Sequence, residues 1–193
     1  MEQGSESWLA LRKTKITATD ASCILGLNGF KSAEKLMLEK TGQIEPEALN
    51  DAMRRGTLLE PKARELYCKQ TGFTGKPTVH LGVESESYGA FTWINYDWAM
   101  CSTDFLVENE DVVAEFKCGK TAFKQALQGF IPDYYLCQMQ HIMWLTGRSL
   151  CHYGAFDGEE TLITLAVKKD MDFIDKMIEQ EYEFYQKMIL NQQ

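Results

Sequence analysis

Two carboxylates and one ammonium stand out in the segment CSTDFLVENEDVVAEFKCGK, as Asp104, Glu115 and Lys117. Glu115 and Lys117 are two apart on a stretch that reads as a strand, so they point to one face and Phe116 points to the other. The intervening Asn109-Glu110-Asp111 reads as a hairpin turn, which would fold Asp104 back toward Glu115. Carboxylates pushed together repel, and divalent cations make that arrangement tolerable. Mg²⁺ prefers such hard oxygen ligands and keeps several waters. A cation held there would activate water and offset charge on a phosphate oxygen. The lysine could position or deprotonate that water, or help neutralise a pentacovalent phosphate. The chemistry is that of a phosphodiesterase. A solvated strand face is the bland alternative for any D…ExK match. Here the flanking Val112, Val113 and Ala114 argue against it, because charge on a buried strand is costly without a partner.

The elements that must hold these groups alternate in period. The spacing predicts helices over 17–25, with Thr17 or Thr19 as cap, over 32–41 after Ser32, and over 50–71 before Gly72. Pro61 either kinks the third helix or opens a second one. Strands are predicted over 77–83, 97–107 and 111–117, then helices over 119–129 and 132–146 with Pro132 at the first helical position. Strands over 149–156 and 160–168 and an amphipathic helix over 170–191 complete the order. This is a mixed α/β (α+β) domain around one central sheet. The 193 residues suit a single domain, 1–193, with the last helix packing on the core or on a neighbouring subunit.

Composition excludes several classes. With 45% hydrophobic and 25% charged residues the chain is not disordered, and no apolar run reaches the ~20 residues of a membrane span. The start, MEQGSESWLALRK, has no signal-peptide pattern. Six cysteines without a CxxC pair fit free thiols in a reducing cytoplasm. Cys101, Cys118, Cys137 and Cys151 lack iron–sulfur spacing and read as buried thiols. His80, His141 and His152 form no zinc pair. A net charge of −8 argues against indiscriminate DNA coating, yet leaves room for one positive groove.

Four blocks in order resemble the lambda-type phage exonucleases, or YqaJ-like viral recombinases, of the PD-(D/E)xK nuclease superfamily. They are WLALRKTKITATDASCILG, RRGTLLEPKARELY, the CSTDF…AEFKC pair and YYLCQMQHIMWLTG, together spanning residues 8–156. The resemblance implies a restriction-endonuclease-like fold, a central mixed sheet flanked by helices. It implies Asp104, Glu115 and the Phe116 backbone carbonyl as metal ligands, Lys117 as catalytic lysine, Glu60 completing the acidic cluster and Gln138 beside the lysine. Arg12, Thr19 and Ser102 fall where the family holds a terminal 5′-phosphate, with Thr19 in place of the usual serine. Mg²⁺ is the implied cofactor, one or two ions per site, with Mn²⁺ as substitute. The implied activity is 5′→3′ degradation of one strand of linear duplex DNA, leaving 3′ tails for a single-strand annealing recombinase. A ring-shaped homotrimer in the cytoplasm of a phage's bacterial host is implied too, its channel lined by residues such as Lys120 and Lys124. Thr103 and Phe105 flank Asp104 where the family often has proline and glycine, and Gly119 replaces its proline after Lys117-Cys118.

Taken without the resemblance, several of these residues have plainer readings. Glu60 could be a surface residue paired with Lys62 or Arg64. Gln138 and Gln140, among the core-like Tyr135, Leu136, Met139, Ile142, Met143 and Leu145, could be satisfied buried amides. Arg12 could be a surface residue, although Trp8 one turn earlier suits a guanidinium held for phosphate. Two other functions share the same core: a structure-selective or nicking endonuclease, and a non-catalytic DNA-binding protein.

Overall fold

The computed structural model describes residues 1–82, 84–86 and 93–191. Four helices dominate the first third: α1 (Glu6–Thr14), α2 (Ala18–Ile24), α3 (Ala33–Lys40) and α4 (Asp51–Thr71). Their ends follow from side-chain chemistry. Thr17, not Thr19, caps α2 in a capping box with Asp20, while Ser32 and Asn50 cap α3 and α4. Gly72 closes α4 at φ 73°, a left-handed position that costs glycine nothing. Pro61 lies inside α4, so the two alternatives for this stretch resolve to one continuous helix.

The strands are β1 (Ile16–Thr17), β2 (Gly75–Leu81), β3 (Glu84–Glu86), β4 (Trp93–Asn95), β5 (Ala99–Val107) and β6 (Val112–Cys118). After them come α5 (Lys120–Leu127), α6 (Asp133–Thr146), β7 (Leu150–Phe156), β8 (Leu162–Lys168) and α7 (Met171–Leu190). Val83, the end of the predicted strand 77–83, lies outside the described residues. Pro132 caps α6 rather than opening it, one residue from its predicted place. Two residues were too few for a periodic signal, so β1 is a finding of the structure.

The main sheet runs β1-β5-β6-β7-β8, with β2 also paired to β5. It is mixed: β1–β5 and β6–β7 are parallel, and β2–β5, β5–β6 and β7–β8 are antiparallel. Met100 pairs with both Thr17 and Leu81, and Leu106 pairs with both Val113 and Lys76. Strands β1 and β6 therefore share one edge of β5 and β2 takes the other. Between the two partners on the shared edge, residues 101–104 of β5 have no ladder neighbour among the described residues. That gap holds the site.

One side of the sheet packs α4 against Phe105, Val107, Phe116 and Phe156 through Ala63 and Tyr67. On the other, α6 places Met139, Ile142 and Met143 against Val113, Cys151 and Tyr153. Cys101, Cys137 and Cys151 are buried free thiols as read, but Cys118 is only part-buried. Helix α7 packs on α2 and α6 through Ile174, Met177, Phe184 and Met188.

Its fifth buried residue is Glu181, fully enclosed and bonded through Oε1 to Nδ1 of His141 at 2.9 Å. The other nitrogen of His141, Nε2, faces the Met100 carbonyl oxygen at 3.2 Å. A carbonyl only accepts, so Nε2 carries a proton, and a single further proton is shared between Nδ1 and Oε1. Burial raises the Glu181 pKa against the pull of His141. This strut joins α7, α6 and β5. Glu181→Leu alone should cost about 1–3 kcal/mol, because it strands a buried imidazole nitrogen. The double variant Glu181→Leu/His141→Leu should recover much of that loss. Thermal melts of the four proteins check the coupling, and additive losses would contradict it.

Candidate active site

Strands β5 and β6 begin as an ordinary antiparallel pair, with Phe105 opposite Ala114 and Leu106 opposite Val113. The turn between them includes Asn109 at φ 60°, a conformation asparagine tolerates. Beyond Phe105 the strands part. The Phe116 N–H, which would otherwise look for a ladder carbonyl, donates to Asp104 Oδ2 at 2.7 Å. A side chain thus replaces a main-chain partner, and the carboxylate is pinned at the fork.

Phe116 points away from the fork and packs on Tyr67 with ring centroids 5.5 Å apart. Its ring also lies over Gly154 of β7, where a Cβ would come within 2.5 Å of Phe116 Cδ1. Anchoring Phe116 this way commits Glu115 and Lys117 to the α6 side, as the strand period requires. There Lys117 Nζ lies 2.8 Å from Glu115 Oε1 and donates to Gln138 Oε1 at 3.0 Å. Gln138 Nε2 donates to the same Glu115 oxygen at 2.5 Å. The three groups close a triangle of hydrogen bonds.

Glu115 is 4% exposed, and its second oxygen, Oε2, is buried with no hydrogen-bond partner among the described residues. An unpaired buried carboxylate oxygen is costly, which makes it the atom most in need of a positive ligand. Burial, then repulsion from Glu115 and Glu60, hold the Asp104 pKa well above the usual carboxylate range, against Lys117 and the Phe116 N–H. Burial also raises Glu60, despite Arg64. For Lys117, burial works against the charged form, but Glu115 and Asp104 outweigh it and the pKa is raised.

Glu60, on α4, is electrostatically part of this group but is bonded elsewhere. Its Oε1 takes Arg64 at 2.5 Å, and Arg64 Nε donates to the Asp104 carbonyl at 3.1 Å. The bland reading of Glu60 as an ion-paired helix residue therefore holds for its contacts, while Arg64 ties that pair to β5. Among the described residues no three of His, Cys, Asp and Glu form a ready-made metal cage. Gln140 is a satisfied structural amide: Nε2 donates to the Lys168 carbonyl at 2.9 Å and Oε1 accepts from Asp170 N–H at 2.9 Å.

A second cluster lies at the unpaired edge of β5. Ser102, two residues from Asp104, accepts from Trp8 Nε1 at 2.8 Å. The Arg12 guanidinium sits 4.5 Å from the Trp8 ring centroid and donates to Thr19 Oγ1 at 3.3 Å. Arg12, Thr19 and Ser102 are thus joined through Trp8. Burial lowers the Arg12 pKa and Asp20 raises it, with the guanidinium remaining charged. Lys120 and Lys124 are exposed on α5, which starts two residues beyond Cys118.

Tyr135 packs against the core, as its sequence surroundings suggest, and also carries Lys117 Nζ over its ring at 4.7 Å from the centroid. Its spacing was a usable signal, because residues 135 and 138 are i and i+3 on one helix and share a face. Arg64 carried a weaker one, as the ion-pair neighbour of Glu60.

The sequence profile of the YqaJ-like viral recombinase domain matches residues 7–149. YqaJ of Bacillus subtilis (strain 168) is 26% identical over 196 residues, covering 100% of this chain and 59% of that protein. Protein D345L of African swine fever virus (isolate Tick/Malawi/Lil 20-1/1983) is 27% identical over 154 residues, covering 72% of this chain and 45% of its own. The chain spans about half the length of these curated relatives. The crystal structure of LHK-Exo, an alkaline exonuclease from Laribacter hongkongensis, superposes with a TM-score of 0.76. It is 25% identical, and the match covers 96% of this chain and 93% of that one. The shared architecture is the restriction-endonuclease-like one, a central mixed sheet between helices. With most of its length matched by that profile, the chain belongs to the YqaJ-like viral recombinase domain family.

Proposed function

We propose that this protein is a divalent-metal-dependent DNA exonuclease that removes nucleotides 5′→3′ from one strand of linear duplex DNA. The observation that carries the reading is the closed Glu115–Lys117–Gln138 triangle beside Asp104, at a fork between two strands. Its likeness in fold and sequence to an alkaline exonuclease supports the same class of reaction.

The residues present fit a divalent cation. Asp104 and Glu115 repel one another, and Glu115 Oε2 is buried with no partner among the described residues. Asp104, Glu115 and the Phe116 carbonyl would hold Mg²⁺, one or two ions, with Mn²⁺ able to replace it. When bound, the ion supplies activation of water and charge stabilisation on phosphate. Lys117 is held as an ammonium, which favours donating to water or a phosphate oxygen over deprotonating water. Gln138 holds Lys117 and Glu115 in register, and Glu60 adds negative charge behind them. Arg12, Thr19 and Ser102 would grip the terminal 5′-phosphate, while Lys120 and Lys124 would follow the backbone. A homotrimeric ring, a 3′-tailed product and a single-strand annealing recombinase complete the proposal, in a reducing bacterial cytoplasm. Among the described residues no helix is long and apolar enough to cross a membrane.

The test is end-labelled linear duplex with Mg²⁺, one strand carrying a 5′-phosphate or a 5′-hydroxyl, with a circular duplex as control. Loss of the 5′-ended strand and survival of the circle are expected; cutting of the circle would instead favour an endonuclease. The phosphorylated end should be degraded roughly tenfold faster, since charge-assisted hydrogen bonds are worth about 1.5–3 kcal/mol each. Arg12→Ala should remove most of that preference by slowing only the phosphorylated substrate. Equal slowing of both ends would leave Arg12 as a general backbone contact.

A further inference from the structure

Phe30 is 81% exposed, which is unusual for a ring that nothing forces outward. It does not sit on a loose loop. Asn28 Oδ1 accepts from the N–H groups of Phe30 and Lys31 at 2.8 and 3.2 Å. Asn28 is itself fixed, its Nδ2 donating to Ser22 Oγ at 3.1 Å and its N–H to the Ser22 carbonyl at 3.0 Å. Lys31 is tethered to Glu39 at 2.5 Å. The local structure holds an aromatic face in solvent.

Rings connect Phe30 to the site. Its ring meets Tyr134 edge-on, with centroids 5.9 Å apart and planes at 84°. Tyr134 lies 4.3 Å from Tyr135, and Tyr135 carries the Lys117 ammonium over its face. The path runs from a part-buried cation to an exposed ring without a break. These steps keep Phe30 within a few nucleotides of Lys117, because a stacked strand advances about 3.4 Å per nucleotide.

We propose that Phe30 and Tyr134 form a stacking site for a base of the DNA strand whose backbone lies at Lys117. The inference rests on the nuclease reading above and adds a second determinant to it. Every base has a π-face, so such a contact holds a strand without reading its sequence. Two aromatic rings at right angles leave one ring face free for a base and back it with the other. The subsite would fix where unpaired nucleotides lie while the terminal bond is cleaved, and it is independent of the phosphate grip by Arg12.

The test is binding in EDTA, where no cleavage interferes, of 5′-phosphorylated duplexes with 2-aminopurine at each of the first four nucleotides in turn. Wild-type protein should quench the fluorescence strongly at one position. Phe30→Ala and Phe30→Leu should abolish that quench and weaken binding roughly fivefold or more, while Phe30→Tyr retains both. An abasic nucleotide at that position should weaken wild-type binding similarly and leave Phe30→Ala unchanged. Retention of the quench in Phe30→Ala, or full affinity in Phe30→Leu, would overturn the proposal. So would a change in oligomeric state of Phe30→Ala by light scattering, which would make Phe30 a contact between copies. If wild-type protein binds and degrades no DNA end, the nuclease reading itself falls; if it does both but Phe30→Ala behaves as wild type, only the stacking site is lost.

Discussion

Asp104→Asn and Glu115→Gln should each slow strand degradation by roughly a thousandfold or more while leaving the fold intact. Losing a charged ligand removes several kcal/mol of transition-state stabilisation, and each ~1.4 kcal/mol is tenfold in rate. Asparagine keeps an oxygen that can accept the Phe116 N–H, so the fork between the strands survives the change. Stability should respond in the opposite direction from activity. Burial and the neighbouring Glu115 and Glu60 raise the Asp104 pKa, so the folded, cation-free protein retains a proton that the unfolded chain releases. Its stability therefore falls as pH rises from the ordinary carboxylate range through the raised value. Asp104→Asn removes that loss, and in EDTA at pH 8 its Tm should exceed wild type by about 2–4 °C for each kcal/mol relieved. Adding Mn²⁺ should raise the wild-type Tm and leave the variant's nearly unchanged. Near wild-type cleavage in either variant would show the site is elsewhere.

The acidic fork was legible because strand period and a turn signal suffice to place Asp104, Glu115 and Lys117 together. Periodicity also yielded the long helices, whose caps Ser32, Asn50 and Gly72 are local chemistry. What stayed hidden depends on contacts far apart in sequence. The parallel pairing of Ile16 with Ala99 spans most of the first half of the chain, and no local signal encodes it. Nothing in the amphipathic pattern of α7 sets Glu181 apart from its solvated acidic neighbours such as Glu179 and Glu183. Only the approach of His141 from α6 gives it a reason to be inside. Gln138 and Gln140 looked alike in sequence, yet one turns to Lys117 and the other clamps the start of α7. Tyr135 was hidden by its apolar surroundings, since a tyrosine beside Leu136 and one helical turn before Met139 reads as core until a lysine is seen above its ring.

Lys117→Met should lower turnover by about 10²–10⁴-fold, the range for a positioned group that acts on protons in the transition state. Its side chain is of similar length and keeps contact with the Tyr135 ring, so the lost element is the charge. Cation binding should survive, because Asp104 and Glu115 remain. It should in fact stabilise the variant more than it stabilises wild type. In wild-type protein the ammonium already offsets the two carboxylates, as the raised Lys117 pKa records. Without it they repel unscreened until an ion arrives. Calorimetric titration with Mn²⁺ and the Mn²⁺-induced Tm shift measure both effects. Lys117→Arg should fail to rescue turnover, because the planar guanidinium fork cannot take the place of a compact ammonium held at 2.8 and 3.0 Å from Glu115 and Gln138. Gln138→Leu makes the complementary case. It keeps the ammonium and both ligands but frees Lys117 from one of its two hydrogen bonds, so turnover should fall less than in Lys117→Met. If Lys117→Met instead loses Mn²⁺ binding as fully as Glu115→Gln does, the lysine is supporting the metal site rather than the reaction, and the donor role assigned to it is wrong.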